Sequence, residues 1–175
     1  MLVGRIIGEM AAYNCGCPEL VNHALKVFGF AKAIGEQEGL DNPVQQTLEI
    51  AAVLHDIGIL ESERKYHSYE GEYQQIEGPP IAREILMRCE VPSEVADRVC
   101  YLIAHHHEYD HIDGLDYQIL VEADFLVNLF EQEQSREQAQ QIRDSVFCTA
   151  AGKRLLEDIF FKTPPVPSSF AVSLP

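Results

Sequence analysis

A histidine and an aspartate stand side by side in the segment AAVLHDIGIL, where apolar residues surround them. A charged carboxylate such as Asp56 is costly to bury among apolar neighbours unless a partner compensates its charge. A divalent metal ion is one such partner, because neutral imidazole and carboxylate suit Mn, Fe, Co, Ni or Zn. Taken alone, the pair His55-Asp56 also fits a helix end that is capped and hydrogen-bonded locally.

Three further side chains occupy the inward faces of other helical segments. Apolar residues three and four positions away place His23, His106 and Asp124 on the buried stripes of their helices. The flanking residues His105 and His107 fall on the sides of the same helix. Each inward residue could be a satisfied core residue, although an acid in an apolar stripe needs a partner. Because every one of these segments presents a His or an Asp, one shared metal centre explains them better than separate local causes.

In order and context, His23, His55-Asp56 and Asp124 resemble the H…HD…D signature of the HD-domain superfamily of metal-dependent phosphohydrolases. The similarity covers roughly residues 17 to 131, and the chain looks most like small stand-alone members with the sequence HDIG. The stretch DGLDY stands where cyclic-dinucleotide phosphodiesterases have a Gly-Tyr-Pro element, so that substrate is not implied. The resemblance implies an all-α, HD-domain-like helical bundle.

Members of the superfamily with two metal ions carry two more histidines, and this chain meets that pattern in part. The segment IAHHHE matches one of them, with His106 as the best candidate. In QQIEGPPIAREIL, Gln74 takes the place of the other, and Glu77 could offer an oxygen ligand instead. Glu77 could equally be a helix-N-terminal acid beside the helix dipole. The resemblance thus implies one or two divalent ions (Mn, Fe, Mg, Co, Ni or Zn), with Asp56 as the natural bridge. The candidate ligands are His23, His55, Asp56, Asp124, Glu77 and His106.

The chemistry of such a centre is hydrolytic. A bound metal ion makes hydroxide available near neutral pH and neutralises charge that develops on a phosphoryl group. We therefore expect a metal-dependent phosphohydrolase that acts on the phosphate ester of a small metabolite or nucleotide, with catalytic roles for Asp56, His106 and Lys65. The nearby basic residues Arg64, Lys65 and Arg83 are candidates for substrate binding, or are solvated surface charges. Two alternatives stay open, a non-catalytic ligand-binding or regulatory HD module and a di-iron oxygenase on the same scaffold.

The elements that position these residues are predicted to be helical, because apolar residues recur at three- and four-residue spacing and period-2 alternation is nearly absent. We expect six to seven helices in one domain over residues 1–162, followed by a proline-rich tail over residues 163–175. The predicted helices are a short one ended by Gly16; one from Pro18 to about Ile34; one capped by Asp41 or Asn42 that runs into Gly58; helices opened by Gly78-Pro79-Pro80, by Pro92-Ser93 and after Gly114; and a last one from a Ser135/Gln138 capping box to about Phe160. Residues 61–75 look like a loop with room for one helical turn.

The composition excludes several classes of function. The chain has 175 residues, 46% of them hydrophobic and 23% charged, as in a globular protein of one domain. With 13 basic and 28 acidic residues, its net charge of −15 argues against double-stranded nucleic acid as a partner. No apolar run reaches the roughly 18 residues that cross a bilayer, and Glu9 interrupts any secretory signal. Scattered cysteines fit reduced thiols. We expect a cytoplasmic protein whose partner is a small phosphorylated substrate, and leave a homo-oligomer open.

Overall fold

The computed structural model describes residues 2–163, and that part of the chain contains helices and no β-strand. The helices are α1 (Leu2–Tyr13), α2 (Pro18–Glu38), α3 (Asn42–Leu54), α4 (Ile59–Tyr66), α5 (Gly71–Arg88), α6 (Ser93–His105), α7 (Leu115–Glu131), α8 (Arg136–Ser145) and α9 (Ala150–Leu156). A short π-helical segment, Glu157–Phe161, follows α9. The all-α prediction is confirmed, whereas residues 164–175 of the predicted tail lie outside the described residues. None of the described helices combines the length and the apolar character that a membrane span needs.

Helix α3 lies at the centre of the bundle, where it packs against α1, α2, α6 and α7. Its last turns are buried on every face, from Ile50 to Leu54. A helix that is apolar all round is typical of such a surrounded position. Helix α5 packs against α6, and α4 packs against α5. The C-terminal end of α3 is therefore held deep inside the bundle.

Several predicted start and stop signals are confirmed. Gly16 has φ 84°, the left-handed conformation that ends a helix at little cost to glycine. The Asp41 carboxylate accepts a hydrogen bond from the Val44 amide at 3.0 Å and caps α3. Ser135 and Gln138 form the capping box of α8. These signals are local in sequence, so they could be found without knowledge of the fold.

Helix α2 is longer than predicted and runs to Glu38 instead of ending near Ile34. Gly35 lies inside the helix, where a Cβ would overlap the side chain of Gln45 on α3. The stop is Gly39, with φ 75°. Gly35 therefore allows the close approach of α2 and α3.

The segment predicted as a loop, residues 61–75, is mostly helical, which corrects that prediction. It contains most of α4 and the start of α5. In α4 only Ser62 is buried, and the Glu61 carboxylate pairs with Arg64 at 2.6 Å and with Lys65 at 3.2 Å. Pairs at three- and four-residue spacing stabilise a helix that lacks an apolar stripe. The spacing of apolar residues therefore did not predict helix α4.

Gly78-Pro79-Pro80 lies inside α5 and does not open a helix. The two prolines remove two helical N–H donors, yet the helix passes through them. A Cβ at Gly78 would lie 2.7 Å from the Ile103 side chain of α6. The helix before the prolines is thus packed tightly enough on its neighbours to continue.

The predicted last helix is divided between Ser145 and Ala150. The buried Glu122 carboxylate of α7 accepts hydrogen bonds from the amides of Cys148 and Thr149, at 2.6 and 2.8 Å. Thr149 in turn caps α9. The buried acid draws these amides out of the helical hydrogen-bond pattern, a tertiary effect that the capping signals of the sequence do not reveal.

Candidate metal centre

Four helices bring most of the predicted histidines and acids to one place. His23 lies on the inward face of α2, and Asp124 lies in the middle of α7. His55 and Asp56 follow the last residue of α3, and His106 follows the last residue of α6. All are buried except Asp56, which is partly exposed. Two helix ends and two helix faces thus enclose one polar cluster.

The first group of close ligand atoms surrounds His23 and His55. His23 Nε2 lies 3.2 Å from His55 Nε2 and 3.1 Å from Asp124 Oδ1. Asp56 Oδ2 lies 3.5 Å from His23 Nε2 and 3.4 Å from His55 Nε2. Ligand atoms held about 2.1 Å from one metal ion lie about 3.0 to 3.4 Å from their neighbours. The observed distances are close to this spacing.

The second group involves the other oxygen of Asp56. Asp56 Oδ1 lies 3.5 Å from His106 Nε2. Asp56, His106 and His107 each offer a ligand atom, and these atoms lie within 4.8 Å of one another. The two oxygens of Asp56 face different groups. Its carboxylate therefore has the position expected of a ligand that two ions share.

Backbone carbonyls fix the orientation of two of the imidazole rings. His55 Nδ1 lies 2.9 Å from the carbonyl oxygen of Ala52, and His106 Nδ1 lies 2.8 Å from that of Ile103. A carbonyl can only accept, so each Nδ1 carries the proton and donates it. In the neutral ring, Nε2 is then left with a lone pair directed toward Asp56.

A carboxylate has the same role for the third ring. His23 Nδ1 donates to Glu131 Oε2 at 2.8 Å, and Glu131 Oε1 accepts from Lys26 Nζ at 2.7 Å. Carboxylates that bind the second nitrogen of a metal-ligating histidine are common around metal sites. In all three histidines, Nδ1 therefore donates to a group outside the cluster, and Nε2 faces the inside of the cluster.

The two acids remain ionised and require positive charge nearby. Burial raises the pKa of Asp124, but hydrogen bonds with His23 and His55 outweigh burial and hold that pKa below its ordinary value. Burial also raises the pKa of Asp56, which the charge of His55 and the contact with His106 hold well below its usual range. At 3.2 Å, His23 Nε2 and His55 Nε2 cannot both direct a proton at each other. A metal ion meets this requirement for charge without that conflict.

Unpartnered polar atoms point to the same conclusion. His106 Nε2 and His107 Nε2 are among the described polar atoms that are buried without a hydrogen-bond partner. Such an atom costs about 1 to 3 kcal/mol when nothing binds it. Burial lowers the pKa of His107 to about 4, so this ring is neutral near pH 7 and can offer its lone pair. The donor set of the second group therefore also fits a metal ion.

A cleft of about 300 Å³ opens beside Asp124. His107 and Tyr109 line it from the segment after α6, and Phe125 and Asn128 line it from α7. Asn128 Nδ2 donates to Asp124 Oδ1 at 2.9 Å. A molecule bound in this cleft would lie against the polar cluster.

Glu77, a predicted ligand, binds side chains outside the polar cluster. Its carboxylate accepts hydrogen bonds from Lys65 Nζ at 2.6 Å and from the Tyr66 hydroxyl at 2.8 Å. In the described part of the chain, it belongs to neither group of close ligand atoms. It also lies inside α5, so its interpretation as an acid at a helix N-terminus is wrong.

The predicted basic residues are each paired with an acid. Arg64 binds Glu61, and Lys65 binds both Glu61 and Glu77. Arg83 binds Asp97 at 2.7 Å. None of the three basic side chains is among the described residues that line the cleft. The structure therefore does not bring the substrate-binding candidates, or the catalytic candidate Lys65, to this cleft.

Sequence reasoning missed two residues of the cluster. Helical phase placed His107 on the side of its helix, but α6 ends at His105, so the phase no longer applies to His107. His105 itself is half-exposed and binds Glu108. Glu131 was missed as well, although it follows Asp124 by two helical turns on α7 and therefore shares its face.

Comparison with known proteins gives one match. The family model described as HD domain matches residues 20–150 of the chain. No curated protein and no solved structure matches it significantly. The matched range contains every residue of the two groups of close ligand atoms.

Proposed function

Since the chain belongs to the HD-domain family, we propose that it is a metal-dependent phosphohydrolase that cleaves the phosphate ester of a small metabolite or nucleotide. One observation carries the proposal: His23, His55 and His106 each give Nδ1 to an acceptor and turn Nε2 toward Asp56. Satisfied core histidines have no need of such convergence. Ligands of a shared metal ion require it.

The proposed ligands fall into two sets that share Asp56. Those for the first ion are His23, His55, Asp56 and Asp124. Those for the second ion are Asp56, His106 and His107. Both sets combine imidazole with carboxylate, which suits Mn, Fe, Co, Ni or Zn. Glu77 is left out, because Lys65 and Tyr66 occupy its carboxylate.

The metal, when bound, supplies activated water near neutral pH and neutralises charge on the phosphoryl oxygens. The chain's own residues orient this chemistry. Glu131 Oε2 holds the proton of His23 Nδ1 and fixes the ring. Asn128 donates to Asp124 and fixes that carboxylate. Phe125, next to Asp124 in the chain, adds an apolar surface to the cleft beside the cluster.

The test is metal analysis of protein purified without chelator, followed by phosphate release from a panel of phosphate esters. We expect stoichiometric transition metal and hydrolysis that chelation abolishes. Asp124→Asn should lose both, whereas the exposed acid Asp97, changed to Asn, is the matched control. A metal-loaded protein that releases phosphate from none of the esters would contradict the proposal, as would the visible absorption of an oxo-bridged iron pair.

A further inference from the structure

The cleft beside Asp124 is lined by two kinds of side chain, which we call its apolar wall and its polar wall. Its volume of about 300 Å³ is at the small end of ligand sites in proteins. The apolar wall consists of Tyr109, Phe125, Leu129 and Ile142. The polar wall consists of the carboxamides of Asn128, Gln132 and Gln134. A small group with one apolar face and several hydrogen-bonding atoms would match both walls.

The three carboxamides form a continuous hydrogen-bonded chain that begins at Asp124. Asn128 Nδ2 donates to Asp124 Oδ1 at 2.9 Å, and Gln132 Nε2 donates to Asn128 Oδ1 at 3.4 Å. Gln134 Nε2 donates to Gln132 Oε1 at 3.2 Å. Each amide uses one N–H in this chain and keeps a second N–H, and its oxygen keeps a second lone pair. The wall can therefore both donate to a ligand and accept from it.

The wall carries no charge of its own. Among the described residues that line the cleft, Asp124 is the only one that is charged near neutral pH, His107 is neutral there, and both are proposed metal ligands. No lysine or arginine is part of this described lining. The chain as a whole has a net charge of −15, which adds a repulsive field for anions. A phosphate group placed away from the metal centre would find no cation in the cleft.

We propose, on the basis of the phosphohydrolase function proposed above, that the substrate is a phosphate monoester of an uncharged alcohol. The single phosphate lies at the metal centre, and the alcohol part lies in the cleft between the carboxamides and the aromatic side chains. Substrates with a second phosphate on the alcohol part, or with a chain of phosphates, are disfavoured. A nucleoside and a sugar share the required chemistry, and the experiment separates them.

The experiment compares matched substrates with the metal-loaded wild-type protein. The pairs are a nucleoside 5′-monophosphate with its 3′,5′-bisphosphate, and a hexose 6-phosphate with its 1,6-bisphosphate. The nucleoside 5′-triphosphate is added as the substrate with a chain of phosphates. We expect kcat/KM to be at least about tenfold higher for the monophosphate of the preferred pair, because a second anion lacks a partner in the cleft. The pair with the higher kcat/KM identifies the alcohol. Equal kcat/KM within both pairs would overturn this inference and leave the phosphohydrolase function intact.

A charge introduced into the polar wall gives a second test. Gln132→Lys should raise the ratio of kcat/KM for the bisphosphate to that for the monophosphate by about tenfold. Gln132→Met, of similar length and without charge, should not raise this ratio. Gln132 is exposed, so neither change disturbs the core. An unchanged ratio in Gln132→Lys contradicts the inference, and absence of any hydrolysis by the wild type contradicts the proposed function together with it.

Discussion

The carboxylate of Glu131 holds the imidazole of His23 from outside the polar cluster. Its Oε2 lies 2.8 Å from His23 Nδ1, while its Oε1 lies 2.7 Å from Lys26 Nζ. Burial raises the pKa of Glu131, but the bonds with Lys26 and His23 outweigh it and lower that pKa below its ordinary value. The carboxylate is therefore ionised near neutral pH, and it directs His23 Nε2 toward the other proposed ligands.

Glu131→Gln should weaken binding of the first ion by about tenfold, because a neutral amide supports the basicity of the ligand ring less than a carboxylate does. The measurement is calorimetric titration of apo-protein with Mn²⁺. Glu133→Gln, at a neighbouring exposed position, is the control and should bind as the wild type does. Equal affinities in all three proteins would mean that Glu131 only anchors α7 to α2.

Asp56→Asn should remove both ions, because Asp56 faces His23 and His55 through Oδ2 and His106 through Oδ1. The variant has almost the same shape as the wild type but lacks the bridging charge. Metal content by elemental analysis and phosphate release should fall together. Retention of full metal content would contradict the shared-ligand arrangement.

The histidine triplet tests the second group. His106→Ala and His107→Ala should each lower the metal content at saturating Mn²⁺ from two ions to one, because both belong to the second group. His105→Ala is the internal control, since His105 is half-exposed and pairs with Glu108. Loss of an ion in His105→Ala alone would mean that the helical phase is wrong by one residue.

The residues proposed to bind the first ion could be found from the sequence because each interrupts an apolar pattern. Asp124 lies in a buried stripe of α7, and His23 lies among the buried residues of α2. A polar residue in such a stripe needs a partner, and the period of the helix gives its direction. His107 was not predictable in this way, because it lies beyond the end of α6, where the period stops.

Other features depend on contacts between distant parts of the chain. The division between α8 and α9 depends on the buried Glu122, which lies on a different helix. The pairing of Glu77 with Lys65 needs α4 and α5 to lie side by side. A local sequence pattern contains none of this information.

Glu77→Gln should leave metal binding unchanged and lower the stability of the fold by about 1 kcal/mol at pH 7. The bond with Lys65 lowers the pKa of Glu77 below its ordinary value of 4.5. The pair therefore contributes its full stabilisation above about pH 4.5, and this contribution is lost as the pH falls through the lower, folded-state pKa. Wild type and Glu77→Gln should differ in denaturant midpoint at pH 7 and converge as the pH falls below the folded-state pKa of Glu77. Loss of an ion in Glu77→Gln would instead make Glu77 a ligand.

The last prediction concerns the hydroxyl of Tyr117, which contacts the backbone on both sides of His106 and His107. This buried tyrosine of α7 donates to the carbonyl oxygens of His105 and Glu108, the latter at 2.5 Å. These carbonyls flank His106 and His107, whose Nε2 atoms are buried without a hydrogen-bond partner in the described chain. The hydroxyl therefore fixes the segment that presents the second ligand group.

Tyr117→Phe keeps the ring and its packing but leaves these carbonyls without their side-chain donor, at a cost of about 1 to 2 kcal/mol in stability. The second ion should bind more weakly while the affinity of the first ion stays as in the wild type, because His23, His55 and Asp124 do not depend on this segment. Two-site titration with Mn²⁺ separates the two affinities, and chemical denaturation gives the stability. Tyr101→Phe is the matched control, since its ring packs edge-on against Tyr117 at 6.4 Å. If both affinities fall equally, Tyr117 supports the whole bundle and has no specific role in positioning the triplet.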